Sequence, residues 1–224
     1  MTRMSVGDST HDGGFGRAPH ILLVFLLLLL AVQPIANVAG GLLVRLALAA
    51  IFLASIVVVS SRRGFFIIGL ILGVPALGFL FVPGRIPIVL GGLLAIATLV
   101  FICYVLLSRI VRHPVVTSAT ISASLAVYLM LGVIWAQAYR LVEHARPGSF
   151  SGLAEGTVAE LQRDLFYFSY VTLTTLGFGD ISPVGAEARS LVITEAIVGQ
   201  LYLVVLVAGV VGVLLAQKQA KNDG

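Results

Sequence analysis

The chain has 224 residues, 59% of them hydrophobic and only 11% charged, with a formal net charge of +4. So little polar surface excludes a soluble globular domain, and so little charge with so much apolar content excludes intrinsic disorder. The basic residues stand singly or in pairs between apolar runs, without the basic stripe and interleaved aromatics of a nucleic-acid-binding surface, so no nucleic-acid partner is expected. The one cysteine, Cys103, lies inside an apolar run. It reads as a small apolar filler, with no intramolecular disulfide and no cysteine metal cluster to join.

A bilayer hydrocarbon core needs about 20 apolar residues of helix. Six runs meet that need: residues 20–39, 41–60, 65–82, 86–107, 115–145 and 186–217. Residues 1–18, rich in Gly, Asp, Ser and Thr, read as a short disordered tail. The first run follows Arg17 but is longer than a signal-peptide core and lacks a clean cleavage site, so it is read as a span. Arg3 and Arg17, Arg62 and Arg63, Arg109 and Arg112, and Lys218 and Lys221 fall on one side of successive spans, against Arg85 and Arg45 on the other. The positive-inside rule then makes both termini cytoplasmic in a multi-pass protein of the cell membrane.

The fourth run holds no Arg, Lys or acid, and Arg109 and Arg112 flank its cytoplasmic end. Charge that could move through a transmembrane field is therefore missing from it. Trp135 and Tyr139, near the outer end of the fifth run, suit an aromatic belt. His113 and His144 are candidates for pH sensing or simple interfacial residues. Arg45, one turn inside the second run, is expected to snorkel outward.

Between the fifth and sixth runs, residues 165–176 are apolar and aromatic but too short to cross, so they read as an element that enters the membrane and returns. Irregular backbone at that depth must be packed by protein or line a water-filled cavity. The following motif, Thr174, Thr175, Leu176, Gly177, Phe178, Gly179 and Asp180, resembles the signature of the potassium-channel superfamily, with Leu and Phe where its usual form has Val and Tyr. Pro183, Arg189 and Gly199 continue the resemblance without gaps onto a simple bacterial two-span potassium channel, over residues 115–217.

The resemblance implies an all-α membrane protein with six transmembrane helices and a re-entrant pore helix and selectivity filter between the fifth and sixth. It implies a homotetramer in membrane lipid that conducts dehydrated K+ passively, with K+ as permeant ligand, no cofactor and no enzymatic activity. The carbonyls of Thr175, Leu176, Gly177 and Phe178, with the Thr175 hydroxyl, would replace the hydration shell of the ion, and Gly177 and Gly179 would supply the alternating handedness that aligned carbonyls require. Thr174 and Asp180 read as filter support. Gly199 falls at the family's inner-helix hinge, or else permits a close helix contact; Gly209 and Gly212 offer further such points. Gln200, Leu203, Val207 and Val211 would line the cavity. Glu195, an acid two turns into the sixth run, is either functional or a clamp on the back of the pore helix near Tyr170 or Thr172.

The expected organisation is a tail at residues 1–18, a peripheral four-helix region at 19–112, a pore domain at 113–218 and a cytoplasmic tail at 219–224, without a cytosolic ligand-binding domain. The alternatives are a weakly selective cation channel, since Phe178 lacks the tyrosine hydroxyl, and a pore or accessory subunit of a K+ transport system.

Overall fold

The computed structural model describes residues 16–32, 42–59, 63–80, 82, 84–112, 117–154 and 156–222. Arg3, Arg62 and His113 lie outside the described residues, as do the side chains of Arg45, Val211, Lys218 and Lys221. The described elements are α1 (Ala18–Val32), α2 (Leu42–Val59), α3 (Arg63–Leu80), α4 (Arg85–Arg112), α5 (Ser118–Ala145), β1 (Phe150–Ser151), α6 (Val158–Leu173), β2 (Ser182–Pro183) and α7 (Ala186–Asn222). Among the described residues, α4, α5 and the Ala186–Gly209 part of α7 are long and apolar enough to cross a membrane. Ala18–Val32 and Arg63–Phe79 are shorter apolar helices, and the rest of the run read from residue 20 to 39 falls outside the described residues.

Helix α5 is the scaffold. It packs against α1, α4, α6 and α7, while α2 and α3 reach the body through α1 and α4. The facing surfaces carry small side chains, with Ala119, Ala123, Ala126 and Ala136 of α5 buried beside Val127, Met130 and Val133. Small residues let helix backbones approach closely where lipid offers no hydrophobic drive between helices. Leu22, Leu26 and Leu29 of α1 and Leu99, Ile102, Cys103 and Leu106 of α4 complete this core, at spacings that put each set on one helix face. The N-terminus of α5 is closed by a capping box, Thr117 Oγ1 accepting from the Thr120 amide at 3.2 Å.

Two expectations change here. Tyr139 does not face a lipid interface: it is fully buried, with ring centroids 5.2 Å from Phe150 and 5.4 Å from Phe168. Such a three-ring cluster gains about 0.5–1.5 kcal/mol per pair beyond area burial, which explains why the ring turns inward. The short helix read at residues 165–176 runs instead over Val158–Leu173. Hydropathy misses its first two turns because they are polar, but Thr157 and Glu160 form a capping box there, with the Thr157 amide donating to Glu160 Oε2 at 2.6 Å. Those bonds from Thr157, backbone first, hold the Glu160 carboxyl below its ordinary pKa.

Against α6, Gly132 of α5 leaves room for the Tyr170 ring, since a Cβ on Gly132 would stand 2.6 Å from Tyr170 Cζ. The same ring is held by its hydroxyl, which donates to Leu129 O at 2.6 Å. A methyl group added at Gly132 therefore meets a side chain that is tethered at its far end. We expect Gly132→Ala to cost about 1–3 kcal/mol through overpacking, seen as a lowered thermal midpoint of helical circular dichroism in detergent. An unchanged midpoint would mean that Tyr170 moves aside freely.

Candidate functional site

The segment from Thr174 to Asp180 leaves the C-terminus of α6 and has an unusual backbone. Thr175 (φ 60°), Gly177 (φ 57°) and Gly179 (φ 81°) are left-handed, while Leu176 and Phe178 between them are not. Handedness thus alternates residue by residue. Glycine enters the left-handed region at little cost, so Gly177 and Gly179 are where the sequence places that freedom. Thr175 was not expected there: it is β-branched and is the one non-glycine with positive φ among the described residues. Such a residue stores about 1–3 kcal/mol of strain and persists only where its surroundings hold it.

The surroundings are hydrogen bonds from both sides of the turn. The amides of Thr174, Thr175 and Leu176 donate to Tyr170 O, Thr172 O and Val171 O at 3.0, 2.9 and 2.9 Å, and Thr174 Oγ1 donates to Tyr170 O at 2.6 Å. Gln200 of α7 brings its Nε2 to 3.4 Å from Thr175 Oγ1. At the other end, Tyr167 of α6 donates its hydroxyl to Asp180 Oδ2 at 2.8 Å. Phe178, whose ring has no hydroxyl, is 66% exposed in the single chain. A tie from helix to segment therefore exists, at Tyr167 and Asp180.

Beyond Asp180 the chain returns against the loop that follows α5. Strands β1 and β2 pair antiparallel, Phe150 opposite Pro183 and Ser151 opposite Ser182. Gly152 (φ 83°) approaches Asp180 so closely that a Cβ would lie 1.9 Å from Asp180 O. Only glycine fits that position, on both conformational and steric grounds. Arg146 at the end of α5 forms an exposed ion pair with Glu187 in the first turn of α7.

Glu195 is fully buried. It meets the back of α6 at Ser169 rather than at Tyr170 or Thr172, accepting from Ser169 Oγ at 2.6 Å, and it also receives the hydroxyl of Tyr139 from α5. Ser169 Oγ lies 2.8 Å from Gly132 O as well. Ser169 has one proton and faces two oxygens, Gly132 O and Glu195 Oε1, so it donates to one of them at a time. The partners of Glu195 are 26 and 56 residues away in sequence, which is why periodicity could not name them.

Gly199 touches the end of α6. A Cβ there would stand 2.8 Å from Leu173 Cδ1 and 3.0 Å from Leu173 O. Leu173 O also accepts the Tyr128 hydroxyl at 3.2 Å, and Tyr128 stacks on Tyr202 with centroids 5.9 Å apart. The close helix contact expected as one of the two readings of Gly199 is present, and α7 is helical on both sides of it. Gly209 and Gly212 meet nothing within 4 Å of an added Cβ in the protomer. Leu203 is half-buried and Val207 exposed on the same helix. No group of His, Cys, Asp and Glu able to hold a metal ion occurs among the described residues.

Residues 160–216, from the first turn of α6 into α7, match a protein family described as ion channel. An 82-residue stretch is 38% identical to the inward rectifier potassium channel Kirbac3.1 of Paramagnetospirillum magnetotacticum, over 35% of this chain and 24% of that protein. The chain thus spans about a quarter of the length of that curated relative. These two findings support the potassium-channel superfamily for this part of the chain. No solved structure matches.

The Glu195 junction yields a test that separates shape from charge. Gln in place of Glu195 keeps an oxygen for Tyr139 and an N–H donor for Ser169, so Glu195→Gln should leave the thermal midpoint nearly unchanged. Glu195→Leu leaves the buried Tyr139 hydroxyl without its acceptor, while Ser169 keeps Gly132 O, and should cost about 1–3 kcal/mol. Equal damage from both substitutions would mean that the carboxylate charge is itself required.

Proposed function

We propose that this chain is the pore-forming subunit of a potassium-selective channel that assembles as a homotetramer, with residues 174–180 as its selectivity filter. The observation that carries the reading is the alternating handedness of Thr175, Gly177 and Gly179 within the segment matched to the ion-channel family. Alternation turns successive carbonyls to one side, as stacked oxygen rings require, and one chain supplies one oxygen per ring. Four copies about an axis complete each ring. K+ is then held by the carbonyls of Thr175, Leu176, Gly177 and Phe178, with the Thr175 hydroxyl at the inner end.

The uncovered faces agree with assembly. On α7, Ile193, Ile197, Leu201, Val204 and Val205 are all at least 54% exposed in the protomer. The helix termini also fit: α6 directs its C-terminal carbonyls toward the segment, a partial negative charge that favours a cation. In this reading α1 to α4 form a peripheral region and α5 to α7 the pore domain. The six-span topology with cytoplasmic termini, re-entrant α6 and cell-membrane location belong to the same proposal. Thr174, Asp180 and Glu195 support the filter, Gln200, Leu203, Val207 and Val211 line the cavity, and Gly199 seats the end of α6 or lets α7 bend.

The test is K+ and Na+ flux into liposomes. Wild type should pass K+ in preference to Na+, and Gly177→Ala should abolish the flux while helical content is kept, because a Cβ opposes the left-handed conformation. Normal K+ flux through Gly177→Ala would overturn the filter assignment. Comparable K+ and Na+ fluxes in wild type would support the weakly selective alternative that Phe178 suggests.

Voltage gives a second test. The basic residues of α4 are Arg85, Arg109 and Arg112, all at its ends. Moving one charge through 100 mV is worth about 2.3 kcal/mol, and the interior of α4 has none to move. Open probability in planar bilayers should therefore be nearly independent of voltage; a steep dependence would refute the reading of a channel that is not voltage-gated.

A further inference from the structure

The buried side-chain atoms without a hydrogen-bond partner among the described residues are Gln137 Oε1, Arg140 Nε and His144 Nε2. All three lie on α5 at spacings that place them on one stripe. Gln137 and Arg140 face a cavity of about 370 Å³ whose walls include Leu48, Phe52, Phe79 and Gln162. The cavity lies where α2, α3 and α4 meet α5 and the first turns of α6.

Among the described residues Arg140 has no counter-charge there. Ion pairs among the described residues include Arg146 with Glu187 and Arg163 with Asp164, neither of which involves Arg140. Glu143, on the next turn of α5, is taken by the amides of Gly148 and Phe150, and Glu160 at the start of α6 is taken by Thr157. A guanidinium among apolar walls without an anion is costly, and one bound anion removes that cost. Arg also presents a fork of donors that matches phosphate or carboxylate oxygens. Gln137 offers an acceptor or, with its amide turned over, two donors to the same head group.

We propose that this cavity binds an anionic amphiphile, whose phosphate or carboxylate head pairs with Arg140 and whose hydrocarbon lies against Phe52 and Phe79. A free inorganic anion would leave the apolar wall uncovered, and a zwitterionic lipid, whose phosphate is already balanced by its own cation, would leave the Arg140 charge without net compensation. The site is separate from residues 174–180 and does not depend on the channel reading.

The test is lipid retention by the purified, delipidated full chain in micelles doped with phosphatidylglycerol, phosphatidylcholine or oleate, counted by native mass spectrometry. An anionic probe should be held about tenfold more strongly than phosphatidylcholine, the size expected of one charge-assisted contact. Arg140→Gln should abolish the preference, and Arg112→Gln, at the exposed end of α4, should keep it. Val158 lines the cavity and is 57% exposed, so Val158→Trp should lower retention with the charge intact. Retention of phosphatidylglycerol alone assigns the site to a phospholipid, and retention of oleate alone to a free fatty acid. Equal retention of all three probes, or a preference that survives in folded Arg140→Gln, overturns the proposal. Should that variant not fold, a preference undiminished in Val158→Trp overturns it.

Discussion

The hydroxyl of Ser169 joins three helices at one point. It lies within hydrogen-bond distance of Gly132 O on α5 and of Glu195 on α7, and Tyr139 of α5 reaches the same carboxyl group. In an apolar surrounding no water competes for these groups, so each must find its partner in protein. A buried acid on α7 can be held only if α6 and α5 stand where their donors reach it. The position of α6 along α5 is thereby fixed, and with it the place where the chain leaves α6 for Thr174.

Two glycines make that junction sterically possible. Gly132 admits the Tyr170 ring from one side of α6, and Gly199 admits Leu173 from the other. Helix α6 is thus gripped at successive turns: Tyr170 by Leu129 O, Ser169 by Gly132 O and Leu173 O by Tyr128. A rigid seat of this kind is what keeps a strained residue such as Thr175 in the left-handed region. The far end of the segment is held independently, by Tyr167 on Asp180 and by the β1–β2 pairing that draws Gly152 onto the Asp180 carbonyl.

The legible and illegible parts of this site divide along physical lines. Gly177 and Gly179 could be placed from sequence because only glycine adopts left-handed backbone freely, and the structure has both there. Thr175 could not, because nothing in a threonine announces a positive φ; the strain is imposed from outside. The start of α6 was legible in Thr157 and Glu160, but hydropathy hid it, since the first turns of that helix are polar. The end of α4 was also underestimated, because Arg109 and Arg112 end the apolar run but continue the helix. Glu195 could be recognised as needing a partner, whereas Ser169 and Tyr139 emerged only from packing between distant segments.

The bare face of α7 has a consequence for how copies of this chain find each other. Ile193, Ile197, Leu201 and Val205 present hydrocarbon outward, and acyl chains can cover it as well as another helix can. In the proposed assembly, association through α7 would exchange lipid contact for helix contact, with no expulsion of water to drive it. Its balance is set by how crowded the chain is within the plane of the bilayer. In the proposed tetramer, crowding in two dimensions, rather than concentration in the surrounding solution, would bring the chains together.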